Sequence, residues 1–160
     1  MPSDVSATGV EPPRVPMLVM DTQDGRSRIW PSELAGFDER LLGGQAGPLW
    51  ARTVPGTVTA VSFNVLPVGW VGEWHESPRA QWVVPLSGRW FIETADGTRV
   101  EMGPGEIHWG QDQDTSGDCG HRSGQVGDDP CVLLFIQYRE VPPELIEGLR
   151  KGSPDRQPCP

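Results

Sequence analysis

The sequence has few cysteines and no long apolar run, and each absence excludes a class of protein. Its three cysteines, Cys119, Cys131 and Cys159, are widely spaced and form neither a CxxC pair nor a disulfide framework. No apolar stretch approaches the roughly 20 residues that a membrane-spanning helix needs. The N-terminus has neither a basic start nor an apolar segment, so no signal peptide is expected and the predicted compartment is the cytoplasm.

Basic residues are also scarce. Thirteen Lys and Arg residues stand against 22 Asp and Glu residues, which gives a net charge of −9. A protein that binds phosphates needs a basic face, and the basic residues here form no cluster. The sequence therefore excludes nucleic acid and an anionic membrane surface as expected partners, and the acidity itself indicates solubility.

Glycine and proline, by contrast, are in excess, with 20 and 17 residues among 160. This excess predicts many turns and few long helices. About ten short runs rich in β-forming residues, such as Thr57–Leu66 and Cys131–Tyr138, alternate with turn signals such as Asp96-Gly97. Strands at this spacing predict an all-β sandwich or small barrel, and they argue against a parallel α/β sheet.

Some segments carry predictions of their own. Arg28–Trp30 is predicted as a strand that Pro31 ends, and Ser32–Gly44 as either a short helix or a loop. VGEWHE, residues 71–76, is predicted as a further strand. The one helix predicted with a start and a stop is Pro142–Lys151, which begins with proline and ends with Arg-Lys.

The length suits one domain with a core of its own. Residues 1–14 and 152–160 are rich in Pro, Gly, Ser and Asp, and this composition is typical of mobile ends. We therefore predict an N-terminal arm over 1–14, a single domain over 15–151 and a flexible tail over 152–160.

One stretch, residues 72–121, contains two motifs. His75 opens the first motif, which Gly88 closes, Pro104-Gly105-Glu106 forms the turn of the second, and His121 is its histidine. This arrangement resembles the cupin superfamily. More narrowly, the runs HESPRAQ and DTSGDCGH resemble a subgroup of small single-domain bacterial cupins. The resemblance covers roughly residues 57–138. It implies a double-stranded β-helix, or jelly roll, that forms a homodimer.

The resemblance also implies a metal site, with departures. The first cupin motif reads His-x-His-x-x-x-Glu, and its second and last places fall here on Ser77 and Gln81. Strand alternation lets both face the interior with His75. Because these ligands are neutral, a buried cation needs a carboxylate, for which Asp114 is preferred over Asp112. The predicted ligands are His75, Gln81, His121 and Asp114, for a divalent Fe, Zn, Mn or Ni ion, and no organic cofactor is indicated.

The leading hypothesis is a small cupin enzyme that acts on a small organic molecule in the barrel. His75 and His121 would be catalytic in metal-assisted chemistry of the oxygenase, isomerase, cyclase or lyase type. In a metal-free alternative, one of these histidines is the general acid or base of an isomerisation, cyclisation or elimination. Two further alternatives are a barrel that binds its ligand unchanged and an assembly protein with a Trp-rich outer sheet.

Aromatic side chains supply the predicted pocket walls. The sequence has seven tryptophans, most of them in or beside the motif region, and such walls suit an apolar or ring-bearing ligand. The residues predicted to contact substrate are Gln81, Trp90, Trp109 and Phe135. Trp74 and Trp82 have the parity opposite to His75 and Gln81 and are predicted to face outward. The sequence leaves open whether His108 and Cys119 belong to the site.

Overall fold

A computed structural model describes residues 9–116 and 119–141. Within these ranges the chain forms eleven strands and no helix, so the predicted all-β class is confirmed. The strands are β1 Val15–Gln23, β2 Arg26–Leu34, β3 Asp38–Arg40, β4 Leu49–Ala51, β5 Thr57–Leu66, β6 Gln81–Ser87, β7 Arg89–Thr94, β8 Arg99–Met102, β9 Ile107–Gln111, β10 His121–Val126 and β11 Cys131–Glu140.

The strands form two main sheets. Six make the larger sheet, in the order β2-β1-β9-β6-β11-β5, and three make the smaller one, in the order β10-β7-β8. Isolated bridges from Val71 to Gly124 and from His75 to His121 extend the smaller sheet beyond β10. From β6 to β11 the chain passes repeatedly between the sheets, which is the winding of the predicted jelly roll.

The main core lies between the sheets. The larger sheet contributes Met20, Val83 and Leu133, and the smaller contributes Ile92 and Met102, all of them almost fully buried. Removing such a side chain from water stabilises the fold by roughly 1.5–3 kcal/mol. This core fills one end of the jelly roll and leaves the other end for polar side chains.

A second core covers the outer face of the larger sheet. Trp109 stacks between Trp82 and Tyr138, with ring centroids 4.8 and 5.6 Å apart, and Trp30 and Met17 complete the buried cluster. Trp82 points away from the cavity that Gln81 lines, because neighbours in a strand face opposite sides. The larger sheet is therefore buried on both faces over its β1, β9 and β6 strands.

Glycines make two of the hairpins. Gly88, between β6 and β7, has a φ of 70°, and a Cβ there would lie 2.3 Å from the carbonyl oxygen of Pro130. The Asp96-Gly97 turn joins β7 to β8 as predicted, with Gly97 at a φ of 85°. Asp96 accepts hydrogen bonds from the Thr94 hydroxyl at 2.6 Å and from the Thr98 amide at 3.0 Å. These hydrogen bonds fix the turn that sequence signals alone predicted.

One segment prediction near the N-terminus is wrong, and one of the two alternatives for the next segment is excluded. β2 runs through Pro31 to Leu34, because β2 is an edge strand and proline has no amide hydrogen to leave unpaired there. The helix alternative for Ser32–Gly44 fails because Gly36, Gly43 and Gly44 adopt positive φ values, which interrupt a helix. Part of the segment pairs instead as the β3–β4 hairpin.

The strand predicted over 71–76 is also wrong, because only the bridges of Val71 and His75 connect it to β10. The predicted helix Pro142–Lys151, the tail 152–160 and residues 1–8 of the predicted arm lie outside the described residues. Within residues 9–116 and 119–141, no helix is long and apolar enough to cross a membrane.

Candidate functional site

All three histidines of the chain line one cavity of about 100 Å³ between the sheets. His108 comes from β9 of the larger sheet, His121 begins β10 of the smaller sheet, and His75 lies on the segment that bridges to β10. Gln81, Ser77, Ser123, Trp90 and Phe135 are among the other lining residues. The cavity thus joins a polar end, which holds the imidazoles, to the apolar main core.

Asp112 holds His121 in place. The Nδ1 atom of His121 lies 2.5 Å from Oδ2 of Asp112, and both side chains are buried. The Ser27 hydroxyl donates to the same oxygen at 2.5 Å, and the Ser77 amide donates to Oδ1 at 3.0 Å. Since an ionised carboxylate only accepts, Nδ1 of His121 carries the hydrogen and Nε2 keeps its lone pair.

Burial alone would raise the pKa of Asp112. The hydrogen bonds from His121, Ser27 and Ser77 outweigh this effect and hold the pKa of that carboxyl below its ordinary value. Asp112 is therefore ionised at neutral pH, and it accepts the Nδ1 hydrogen of His121. This is the arrangement in which a carboxylate orients a catalytic imidazole.

His75 stands at the mouth of the cavity. Its ring centroid lies 4.4 Å from that of His121, and its Nδ1 donates to the carbonyl oxygen of Glu73 at 2.7 Å. Two backbone hydrogen bonds of 2.8 Å join His75 to His121. Gly120 permits this approach, because a Cβ there would lie 2.2 Å from the carbonyl oxygen of His75. His75 is solvent-exposed, so it connects the buried His121 with water.

His108 is the most deeply buried of the three imidazoles. Burial, with a contribution from the charge of His121, lowers its pKa to about 3, although Asp112 acts in the opposite direction. His108 is therefore neutral at physiological pH. Its Nδ1 has no hydrogen-bond partner among the described residues, and its ring meets the edge of Trp90 at 5.9 Å. It forms a polar wall of the cavity.

Small and amide side chains complete the floor. Gly110 pairs with Gln81 across β9 and β6, and a Cβ on Gly110 would meet the His108 ring and the Ser77 hydroxyl, each at 3.0 Å. The Gln81 Oε1 atom accepts from Gln137 at 3.0 Å, so its amide hydrogens are free to donate into the cavity. The buried Ser77 hydroxyl and Trp90 Nε1 have no partner within residues 9–116 and 119–141.

The structure brings together most, but not all, of the predicted site residues. Those that line the cavity are His75, Gln81, His121, Trp90 and Phe135. Asp114 is exposed at a φ of 60° beyond the end of β9, and the carboxylate that contacts His121 is Asp112. Trp109 lies on the outer face of the larger sheet, in the second core. Cys119 accepts the Ser27 amide through its carbonyl oxygen at 2.9 Å and does not line the cavity.

Sequence reasoning did not assign four members of the site: it left His108 open, preferred Asp114 to Asp112, and did not name Gly110 or Ser27. His108, Gly110 and Asp112 stand at every second position of β9 and its extension. If one of them faces the interior, all three do. The turn before β9 interrupts the alternation, so the first motif did not show which residues of β9 face the interior. The role of His108 was open and did not decide this either. Ser27 has no local signal at all, since its contact with Asp112 spans 85 residues of sequence.

The donor set can be tested against the metal that the cupin resemblance implies. His75 and His121 each hold Nδ1 in a hydrogen bond and present Nε2, as metal-bound histidines do. Within the described ranges, no three His, Cys, Asp or Glu residues are placed to hold one ion, and Asp112 is engaged by His121 and Ser27. Of the predicted ligands, Gln81 lines the cavity with the two histidines, but its amide is neutral. The residues present therefore lack the free carboxylate expected beside a buried cation, and in this respect they do not fit a resident metal.

Comparisons with known proteins give no sequence match and a distant structural likeness. No family model matches the sequence, and no curated protein matches it. Among solved structures, the chain is similar to the capsular polysaccharide assembling protein CapF from Staphylococcus aureus, at 15% identity and a TM-score of 0.36. The alignment covers 69% of this chain and 33% of that chain, so this chain spans about a third of the length of the protein it matches. The fold and the site rest on the geometry described above.

Proposed function

We propose that the protein is a cupin-type enzyme that moves a proton within a small organic molecule, with His121 as general base and His75 as its acid partner. The observation that supports this most is the buried Asp112–His121 hydrogen bond of 2.5 Å beside a second imidazole 4.4 Å away. The proposal keeps the small-molecule enzyme expected from the sequence and favours its metal-free form.

The two imidazoles have different environments that suit different roles. The Asp112 carboxylate accepts the Nδ1 hydrogen of His121 and orients the ring, which leaves Nε2 of His121 to act as the base. His75 is tied only to a neutral carbonyl and faces water, so it can give a proton to substrate and regain one from solvent. A proton removed at one substrate atom and returned at another gives an isomerisation, a cyclisation or an elimination.

The cavity sets the size of the reacting group. At about 100 Å³ it holds a fragment of a few heavy atoms. Trp90 and Phe135 supply apolar walls, whereas the Trp90 Nε1, the Ser77 hydroxyl and the Gln81 amide can donate to a substrate oxygen. Such donors would stabilise the negative charge that develops when a carbon next to a carbonyl loses its proton. We infer that the substrate is a small carbonyl-containing molecule.

Deuterium exchange tests the proposal even when the reaction product is unidentified. Small carbonyl compounds are incubated with the protein in D2O and followed by proton NMR, where base catalysis replaces a carbon-bound hydrogen with deuterium. We expect at least one compound to exchange with the wild type, and the His121→Gln variant to lose the exchange. His75→Gln should slow net conversion more than exchange, because the base remains.

Ligands that bind in this screen but return unchanged and undeuterated would contradict the enzyme proposal and favour the binding-module alternative. Far-ultraviolet circular dichroism of each variant ensures that lost exchange is not lost folding. Elemental analysis of untagged protein addresses the metal directly. A stoichiometric ion that is required for exchange would contradict the metal-free form.

We further propose that the enzyme is a homodimer formed through β5. This edge strand carries no charged residue, and Val61, Phe63 and Val65 are exposed along one of its faces. Edge strands are normally protected by charge or proline, and two copies with a net charge of −9 can approach best where charge is absent. Light scattering should show a wild-type dimer and a Phe63→Glu monomer. A wild-type monomer would refute this.

A further inference from the structure

A second cavity, of about 440 Å³, lies at the rim of the jelly roll next to the histidine cavity. Its walls come from the segment before β6, from the end of β9 and from the end of β11. Pro78 lines both cavities, so the two are neighbours at this residue. The rim cavity is open to solvent and large enough for a complete small molecule.

Two guanidinium groups line the rim cavity, those of Arg79 and Arg139. Six other arginines have a carboxylate within 4.0 Å, namely Arg14, Arg28, Arg40, Arg89, Arg99 and Arg122. Within residues 9–116 and 119–141, neither Arg79 nor Arg139 has such a partner. In a chain with 22 acidic and 13 basic residues, two unneutralised cations in one cavity form a local exception.

The remaining wall residues reinforce this positive character. Among the described residues, no Asp or Glu lines the rim cavity, and its other polar side chains include the amides of Gln111 and Gln113. The Gln111 Oε1 atom accepts from Trp109 Nε1 at 2.7 Å, which leaves the Gln111 amide hydrogens as donors. Tyr138 forms part of the wall and is fixed by its stacking on Trp109. The cavity thus offers cations and hydrogen-bond donors on a rigid support.

We propose that Arg79 and Arg139 bind the oxyanion group, carboxylate or phosphate, of a small organic anion in the rim cavity. A guanidinium binds either group through two parallel hydrogen bonds, and two guanidiniums favour a doubly charged group. An acidic protein repels anions in general, so a cavity of opposite sign selects where they bind. The proposal goes beyond the proposed function and holds whether or not the histidine cavity is catalytic.

The test uses inorganic phosphate and malonate, titrated calorimetrically into the full chain at constant ionic strength set with chloride. We expect the wild type to bind at least one of them, and Arg79→Gln and Arg139→Gln each to weaken that binding roughly tenfold or more, since each removes charged hydrogen bonds. The double variant should show no binding. A preference for phosphate or for malonate identifies which oxyanion the site takes.

Arg26→Gln is the matched control, because it removes the same charge at an arginine that lines neither cavity. It should keep the wild-type affinity. Loss of binding in Arg26→Gln equal to that in the cavity variants would overturn the proposal, since net charge alone would then explain it. Absence of binding of both anions to the wild type at millimolar concentration, or unchanged binding in the folded double variant, would also overturn it.

Discussion

Strands β6 and β9 present opposite chemistry on their two faces. Their inward side chains, such as Gln81 and His108, line a polar cavity, whereas Trp82 and Trp109 on the outward side form a tight aromatic cluster. Alternation along each strand places these neighbours back to back. The outer cluster therefore stabilises the same backbone that positions the inner site. Because the two sets of side chains lie on opposite faces, stability and chemistry can be altered separately.

The outer face should dominate stability. Trp109→Ala removes a fully buried ring that contacts Trp82 and Tyr138, and we expect a loss of about 3–5 kcal/mol in the free energy of unfolding. Urea denaturation followed by circular dichroism measures it. Trp70→Ala, at a half-exposed ring, should cost less than about 1 kcal/mol. Similar losses in the two variants would show that the outer cluster contributes no more to the free energy of unfolding than a half-exposed tryptophan does.

The inner face should instead make stability depend on pH. His108 has a pKa of about 3 when folded, against 6.5 for the free side chain. As the pH falls below 6.5, His108 therefore binds a proton in the unfolded chain but not in the folded chain. Stability should drop by about 3 kcal/mol between pH 6.5 and pH 4, and His108→Gln should flatten this part of the curve.

Asp112→Asn separates the two contributions to that pH profile. The lowered pKa of Asp112 contributes stability that is present above its ordinary pKa and is lost as the pH falls further. In the Asn variant, the loss of stability below about pH 4 that belongs to this carboxyl should therefore disappear. An unchanged slope between pH 6.5 and pH 4 in His108→Gln would contradict the assignment to His108.

Asp112→Asn should also reduce catalysis while the outer face stays intact. Without the carboxylate, His121 loses the hydrogen-bond partner that orients it, and we expect exchange to slow about 10²-fold. Deuterium exchange across a pH series measures this. Ser27→Ala is the control, because it removes one hydrogen bond but leaves the carboxylate. An effect of Ser27→Ala as large as that of Asp112→Asn would reduce Asp112 to a packing role.

The smallest change concerns the space inside the cavity. Gly110→Ala adds a methyl group 3.0 Å from the His108 ring and the Ser77 hydroxyl, so it should weaken ligand binding several-fold at a cost of about 1 kcal/mol in stability. Gly47→Ala, at an open position, should leave both unchanged. Unchanged ligand binding in Gly110→Ala would mean that ligands do not reach the floor.

Sequence reasoning found the features that depend on local pattern. Alternating β-forming residues and the Asp96-Gly97 turn predicted most strands, and the motif spacing predicted that His75 and His121 lie close together, as they do. It went wrong where tertiary context decides. Pro31 fits within β2 only because that strand lies at the sheet edge, and residues 71–76 fail as a strand because they contact β10 at isolated points.

The carboxylate of the site shows the same limit. Asp112 and Asp114 have the same parity, and alternation alone does not separate them. The left-handed backbone of Asp114, at a φ of 60°, ends the alternation and leaves that side chain in solvent. Asp112 remains in phase with His108 and reaches both His121 and Ser27. A backbone angle beyond the end of the strand therefore decided which acid belongs to the site.

The link between Asp112 and His121 also has a mechanical side. Asp112 directly follows a strand of the larger sheet, and His121 begins a strand of the smaller one. Their hydrogen bond therefore connects the two sheets next to the cavity. A motion that separates the two sheets would lengthen the hydrogen bond between Asp112 and His121. It would leave the aromatic cluster intact, because that cluster lies on the outer face of the larger sheet. Catalytic turnover would then detect separation of the sheets earlier than tryptophan fluorescence does.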